Sequence, residues 1–494
     1  MIVKTTPDEI QDYLNDASNF KGNCDAVYFP TTVEEISEIL INANKNKTPV
    51  TIAGNRTGLA GASVPLGGIV ISTEKLNKII EINEKELYAV LQPGVVLADF
   101  QNELKEKNLL YPPDPTEKNC FIGGTVATNA SGEKTFKYGP TRNFVLGLEI
   151  ILADGEKILL SRNNTVANNY FIDLQSQSNK GYEIVIPDIK MPETKNASGF
   201  YCKKDMDAID LFIGSEGTLG VITKIKVRLV PYPDDILSSI IFFNDEKDAL
   251  TFIKKDREIS YDTRIKKNPD SIDALALEFF DENSLNFLKE DNSRIPPDAK
   301  AAVWFEQEIN SNEELILEKW INLINEFNGD EESAWFAFSE SDKKNIMQFR
   351  HSLPEKVNEY ISKNNLRKLG TDVAVPHDKF EELYFYSKNE VKKENIRYVI
   401  FGHFGNSHMH LNMLPKDQKE YETGESIYKK ICIKSIELGG TVSAEHGIGK
   451  IKTKYLLEMY GKDNLKKMLT VKKILDPNFI LGKGNIFDSS LFYY

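Results

Sequence analysis

The hydrophobic pattern changes texture along the chain. Near the N-terminus Ile36, Ile39, Leu40 and Ala43 follow a helical period, and Thr32 and Glu35 ahead of them have the spacing of a capping box. The run Pro49-Val50-Thr51-Ile52-Ala53 reads as a buried strand. Residues 144–160 read as a hairpin turning at Asp154-Gly155. In 221–229, Ile225, Val227 and Leu229 alternate with Lys224, Lys226 and Arg228, the pattern of a half-buried strand. Beyond Pro231-Tyr232-Pro233, strand-like runs at 238–243, 275–280, 301–309 and 334–338 alternate with amphipathic helices at 313–327, 343–362 and 378–393. That alternation predicts an α+β layer, an antiparallel sheet with helices on one face. A strand at 397–401, a helix at 425–438 stopped by Gly439-Gly440 and a long helix at 453–475 ended by Asp476-Pro477 complete the pattern. Three regions are expected: 1–232, 233–420 and 421–494.

Between the N-terminal elements lie three stretches of small residues. Gly54-Asn55-Arg56-Thr57-Gly58-Leu59-Ala60-Gly61-Ala62-Ser63 follows the strand at 49–53. Gly123-Gly124-Thr125-Val126-Ala127-Thr128-Asn129-Ala130-Ser131-Gly132 is the second, and Gly214-Ser215-Glu216-Gly217-Thr218-Leu219-Gly220 the third. Loops without bulky side chains let backbone amides approach a phosphate or an extended ligand. None matches GxGxxG or a P-loop, so a Rossmann fingerprint and a Walker motif are both absent. Three such loops predict one elongated ligand threaded through several of them.

Composition narrows this picture. The chain has 494 residues, too many for one core, and a net charge of −13, which argues against nucleic acid as a partner. The four cysteines are Cys24, Cys120, Cys202 and Cys432, with no CxxC. Neither an iron–sulfur cluster nor a zinc ribbon is encoded, and a reducing, cytoplasmic setting fits. The start, Met1-Ile2-Val3-Lys4, is not a signal peptide, and no apolar run reaches membrane-spanning length. Peripheral attachment to the inner face of a membrane is compatible with both.

The chemistry concentrates in the histidines. Of six, three fall in Gly402-His403-Phe404-Gly405-Asn406-Ser407-His408-Met409-His410-Leu411-Asn412, and His446 follows in Ser443-Ala444-Glu445-His446-Gly447-Ile448-Gly449. His408 and His410 share one strand face. His403 with either of them, together with Glu445, makes a set of two histidines and a carboxylate with open positions, suited to a catalytic metal. His446 beside that charge would stay neutral and serve as a base. The histidines alone would also suit a metal hydrolase, but that leaves the glycine loops unexplained.

These motifs occur in the order seen in one group of enzymes. The Gly-rich loop at 54–61, Pro112-Pro113-Asp114-Pro115, Gly123 to Ala130, Gly214 to Gly220, the Gly402-His403 stretch and Glu445 to Gly449 together resemble the FAD-dependent D-2-hydroxyacid dehydrogenases of the vanillyl-alcohol oxidase superfamily. That group includes D-lactate and D-2-hydroxyglutarate dehydrogenases and the glycolate oxidase flavin subunit. The resemblance implies an α+β protein: a two-subdomain FAD-binding domain, a cap domain with an antiparallel sheet, and a C-terminal helical segment. It implies that Ala53, Gly54, Asn55, Arg56, Thr57, Gly58, Leu59, Gly61, Ala62 and Ser63 hold the FAD pyrophosphate. Pro113, Asp114, Thr116, Gly123, Gly124, Ala127, Asn129, Ser131 and Gly132, with Tyr138 after them, would serve the flavin ring and ribityl chain, and Glu216, Gly220 and Ile222 the adenosine half. It places the metal on His403, His410 and Glu445, since the second histidine comes seven after the first, with zinc expected ahead of manganese or iron. His446 becomes the base and Arg350 the partner of a substrate carboxylate. The implied reaction is oxidation of D-lactate to pyruvate by hydride transfer to flavin N5, with D-2-hydroxyglutarate or glycolate as alternative substrates. A quinone, cytochrome, electron-transfer flavoprotein or partner subunit would take the electrons, and a homodimer is compatible with all of these.

The chain also departs from the pattern. His408 stands where the group has asparagine, and Gly370 where the hydroxyglutarate enzymes carry a lysine, which favours a smaller acid. Gly482-Lys483-Gly484-Asn485 replaces the usual C-terminal Asn-Pro-Gly-Lys. No histidine lies in the loop at 54–61, so FAD is expected to be non-covalent. The ether-lipid transferases of the superfamily carry histidines where this chain has Ala444-Glu445-His446, so Glu445 favours a dehydrogenase over a transferase.

Overall fold

The computed structural model describes residues 1–310, 312–364, 366 and 368–491. The chain opens with a four-stranded sheet in the order Ile2–Lys4, Ala26–Phe29, Ile69–Ser72, Val50–Ala53. Ile69–Ser72 pairs in parallel with both of its neighbours. The helix Val33–Asn46 covers this sheet, burying the predicted Ile36, Ile39, Leu40 and Ala43. They pack on Val50, Ile71 and Val221 in one core. Its start is capped as predicted on one side, with Thr32 Oγ1 accepting the Glu35 N–H at 3.2 Å. The reciprocal bond is displaced by one residue, Glu35 Oε2 accepting the Thr31 N–H at 2.7 Å.

A five-stranded antiparallel sheet follows, in the order Ile79–Asn83, Tyr88–Leu91, Val221–Arg228, Val145–Ile151, Lys157–Ser161. The predicted hairpin and the predicted half-buried strand are both in it. The small-residue stretch at 123–132 is not all loop. Its first part is the helix Ile122–Thr128, which ends at Asn129 in the left-handed conformation (φ +50°). Gly123 is needed there because a Cβ would lie 2.5 Å from Pro93 Cβ.

The remaining large sheet is antiparallel throughout. Its order is Gly329–Phe336, Asp235–Phe243, Ala301–Ile309, Ala274–Asp281, Tyr398–Gly402, His408–Met413, Leu369–Gly370, and Val373–Ala374 also pairs with His408–Met413. Helices cover both of its faces, correcting the expectation of one. Ile240, Phe242, Phe280 and Trp304 meet Ile346, Phe349 and Leu353 of the helix Glu340–Lys363. Ile241, Phe243, Val303 and Phe305 meet Phe252 and Trp320, from the helices Glu246–Lys266 and Glu313–Glu326. Every residue of Ala274–Asp281 and Ala301–Ile309 is therefore buried. A strand covered on both sides reads as a continuous apolar run rather than an alternation. The strand expected at 334–338 is Gly329–Phe336, the more polar edge of the sheet. The helix expected from 425 starts at Gln418, capped by Asp417, and the helix Thr453–Leu475 is broken at Gly461 (φ +74°). Among the described residues no helix is long and apolar enough to cross a membrane.

Two registers matter for chemistry. Phe279 pairs with Gly402, which sets Glu278 against His403, and Phe401 pairs with His410, which folds the histidine strand back beside the first.

Candidate active site

Backbone bonds join the second and third small-residue stretches. The N–H of Glu216 donates to Ala127 O at 2.8 Å and that of Gly214 to Val126 O at 3.0 Å. The C-terminal segment returns to the first stretch, with the Lys450 N–H donating to Ala60 O at 2.9 Å. Gly449 has no room for a side chain, since a Cβ there would lie 1.9 Å from Ala60 O. Between these segments and the large sheet lies a cavity of about 660 Å³.

Most of the expected residues line that cavity. Gly54, Asn55, Arg56, Thr57, Gly58, Leu59, Ala62 and Ser63 are in its wall, as are Thr116, Gly123, Gly124, Ala127, Ser131, Glu216, Gly220 and Ile222. The opposite wall carries Arg350, His403, His410, Glu445 and His446. Ala53, Gly61, Pro113, Asp114, Asn129, Gly132 and Tyr138 stand outside the lining, and the structure gives most of them other work. Asp114 pairs with Lys134 at 3.0 Å and also with Lys118. Asn129 Oδ1 accepts the Arg142 N–H at 3.0 Å, and the Tyr138 hydroxyl donates to Glu308 at 2.6 Å. Gly132 lets the backbone pass Asp114, whose O would lie 1.9 Å from a Cβ.

The histidine cluster forms one donor set. His403, His408, His410 and Glu445 bring ligand atoms within 4.8 Å of one another. Each histidine is oriented by an acceptor behind it. His403 Nδ1 lies 2.5 Å from Glu278 Oε1, and His410 Nδ1 donates to Thr371 O at 3.0 Å. Their Nε2 atoms consequently face Glu445, at 3.4 and 3.1 Å. Fixing one ring nitrogen this way presents the other to a metal. His408 is different: its Nε2 bonds Asp372 Oδ1 at 3.0 Å and its Nδ1 faces Lys195 Nζ at 3.2 Å. Lys195 also donates to Glu445 Oε2 at 2.6 Å. Lys195 thus sits against both His408 and Glu445, while His403 and His410 turn Nε2 atoms to the same carboxylate.

The electrostatics follow from burial and pairing. Burial pulls the His403 imidazole down, yet Glu278 beside it outweighs burial and raises it to about 8. Burial pushes the Glu445 carboxyl up, but Lys195 and His403 hold it well below its ordinary value. Burial presses His446 down to about 4, against the pull of Asp372 and Glu445, so its imidazole is neutral at pH 7. Its Nδ1 lies 3.3 Å from Asp372 Oδ2. Asp372 is fully buried and further accepts the His446 N–H at 3.0 Å, Ser443 Oγ at 2.7 Å and Lys452 Nζ at 2.7 Å. Arg350 is 2 % exposed, with its Nε on Glu278 Oε2 at 3.0 Å and its Nη1 buried without a partner. Arg350 itself stands in the cavity wall.

This geometry agrees with the likeness to known proteins. Residues 24–161 match the FAD binding domain and residues 263–486 the FAD linked oxidases, C-terminal domain. The D-lactate dehydrogenase of Anaerostipes hadrus is 30 % identical, over 97 % of this chain and 93 % of its own length. The chain belongs to the FAD-linked oxidases. The Bacillus subtilis glycolate oxidase subunit GlcD is 30 % identical, over 96 % of this chain and 92 % of its own. The D-2-hydroxyglutarate dehydrogenase of Stutzerimonas stutzeri is 28 % identical, over 98 % and 96 %. Among solved structures, p-cresol methylhydroxylase superposes with a TM-score of 0.71 at 14 % identity, covering 99 % of this chain and 94 % of that one, a likeness of fold.

In this FAD-linked oxidase, sequence reasoning missed Lys195, Glu278, Asp372 and Lys368. The first three meet their partners across 250, 125 and 36 positions, so local spacing carries no sign of them. Lys368 had a signal. Position 370 is a glycine on the edge strand Leu369–Gly370, and residue 368 is two before it, where strand alternation returns to the same face. The stem of Lys368 does lie over Gly370, its Cε 3.4 Å from where a Cβ would be.

Proposed function

We propose that this FAD-linked oxidase converts a small D-2-hydroxy acid, D-lactate in the first place, into the 2-oxo acid. The observation that carries the reading is the shared cavity, in whose walls the flavin-type glycine segments stand together with Arg350, His403, His410, Glu445 and His446. The residues fit both groups the family implies: small residues line the cavity, and two Nε2 atoms and a carboxylate converge. Bound FAD would supply the acceptor for the C2 hydride, and a divalent metal on His403, His410 and Glu445 would supply a Lewis acid at the substrate oxygens.

The chain does the rest. Arg350, standing in the cavity wall, takes the substrate carboxylate and so fixes which face of C2 is presented. Asp372 holds His446 by Nδ1, which leaves Nε2, 3.5 Å from Glu445 Oε1, as the ring nitrogen free to accept a proton. His446 Nε2 accepts the hydroxyl proton as the hydride leaves C2, and a new C=O bond forms.

A dicarboxylic 2-hydroxy acid is the second reading, and Lys368 favours it. Its ammonium belongs to the same cavity, and among the described residues no carboxylate pairs with it. Water reaches the side chain.

Anaerobic flavin reduction by D- and L-2-hydroxy acids tests the proposal. The D acids should bleach the flavin and the L acids should not. His446→Asn should keep FAD yet reduce it at least ~10²-fold more slowly, the usual span of general-base catalysis being about 10²–10⁴. A variant that bleaches at the wild-type rate would remove His446 as the base, and bleaching by L acids alone would remove the stereochemical assignment.

A further inference from the structure

Glu278 belongs to neither motif that carries the site, yet it touches both halves. It lies on the central strand Ala274–Asp281 and is 1 % exposed. One carboxylate oxygen meets His403 Nδ1 at 2.5 Å, and the other accepts from Arg350 Nε at 3.0 Å. The sheet register, with Phe279 opposite Gly402, holds Glu278 against His403 independently of any ligand. The helix Glu340–Lys363 brings Arg350 to it from the other side.

We propose that Glu278 is a positioning residue that sets the orientation of the metal-ligating His403 and of the carboxylate-binding Arg350 at once. The inference rests on the reading of this site as a 2-hydroxy-acid oxidase centre. A carboxylate has only acceptors, so both groups facing it must be donors. His403 therefore donates from Nδ1 to Glu278, which leaves Nε2, facing Glu445, as the nitrogen a bound metal would take. Arg350 spends its Nε–H on Glu278, with Glu133 3.6 Å away on the same side, and keeps Nη1 unpaired. One side chain thus determines the spacing between the metal-binding nitrogen and the guanidinium edge. A 2-hydroxy acid must span that spacing, with its hydroxyl at one end and its carboxylate at the other.

Glu278→Gln is the informative change, because it keeps the shape and removes one acceptor. A glutamine can accept from only one of the two donors and turns an NH₂ group toward the other. If that group faces His403, the imidazole responds by taking the opposite tautomer, with a proton on Nε2 where a metal would bind. In FAD-loaded protein titrated with zinc or manganese against a competing chelator, Glu278→Gln should bind the metal about 10–100-fold more weakly. Its KM for D-lactate should rise about tenfold or more, while FAD occupancy equals that of the wild type. The unsubstituted enzyme gives a second measurement that does not depend on the variant folding. With only six histidines, nitrogen-15 histidine spectra of the metal-loaded holoenzyme should show His403 protonated on Nδ1, assigned by comparison with His403→Asn. Wild-type metal affinity and KM in Glu278→Gln, or a His403 proton on Nε2 in the wild type, would overturn the inference. A wild-type protein that takes up neither metal would instead sink the underlying reading of the site, and this inference with it.

Discussion

His403, His410, Glu445 and His446 could be found from the sequence because their chemistry depends on close spacing between glycines. The side chains that tune them could not. Lys195 reaches Glu445 from 250 positions away, and Asp372 gathers His408, His446, Ser443 and Lys452 onto one buried carboxylate. His408 also changes meaning once these partners are seen. It is fully buried, held by Asp372 on one ring nitrogen and faced by Lys195 on the other. Lys368 decides between the two substrate readings. On the proposed reading Arg350 receives the one carboxylate of D-lactate, so Lys368→Met should leave kcat/KM for D-lactate within about threefold. For D-2-hydroxyglutarate the same variant should lose about tenfold or more, the contribution of a charge-assisted hydrogen bond being roughly 1.5–3 kcal/mol. A tenfold loss on D-lactate would mean that Lys368, and not only Arg350, receives the first carboxylate.

Among the elements, the helix Glu246–Lys266 shows why part of the fold was illegible. Its buried face carries Ala249, Phe252 and Ile253, but then Asp256, Ser260 and Thr263, so the apolar stripe stops halfway. Strands such as Ala301–Ile309 were legible for the opposite reason, being buried and apolar on both sides over most of their length. The polar half of the helix has a cost that depends on pH. Asp256 is fully buried, bonds only Ser260 through Oδ1 at 2.9 Å and leaves Oδ2 without a partner. Burial raises its pKa to about 7, against an unfolded value near 3.9. Below pH ~4 both states hold the proton and there is no penalty. Between there and about pH 7 the folded state holds a proton that the unfolded state has lost, so stability falls as pH rises, by at most about 1.4 kcal/mol per unit. Asp256→Asn cannot ionise, so its melting temperature should gain on the wild type steadily from pH 5 to pH 7. Parallel melting curves over that range would show that Asp256 is already ionised when folded.

At the scale of the whole molecule, the cavity is the joint. Its lining runs from Ala17 to Tyr455, and Lys450 fastens the C-terminal segment to the first glycine loop through Gly61 O at 3.1 Å and to Asn485 through its Oδ1 at 2.5 Å. A ligand that fills this space touches segments far apart in the chain, so FAD should stabilise all of them together. Adding FAD at 100 times its Kd to stripped protein should contribute about 2.7 kcal/mol and raise a single melting transition. Gly124 separates that effect from ordinary packing. It lies in the helix Ile122–Thr128 and in the cavity wall, and a Cβ there meets no protein atom within 4 Å. Without FAD, Gly124→Ala should match or exceed the wild type, since alanine favours a helix by roughly 0.5–1 kcal/mol over glycine. With FAD the order should reverse, because the added methyl group enters the space the cofactor needs. A Gly124→Ala protein that binds FAD as tightly as the wild type would place the cofactor away from this wall. The three glycine segments would then need another explanation.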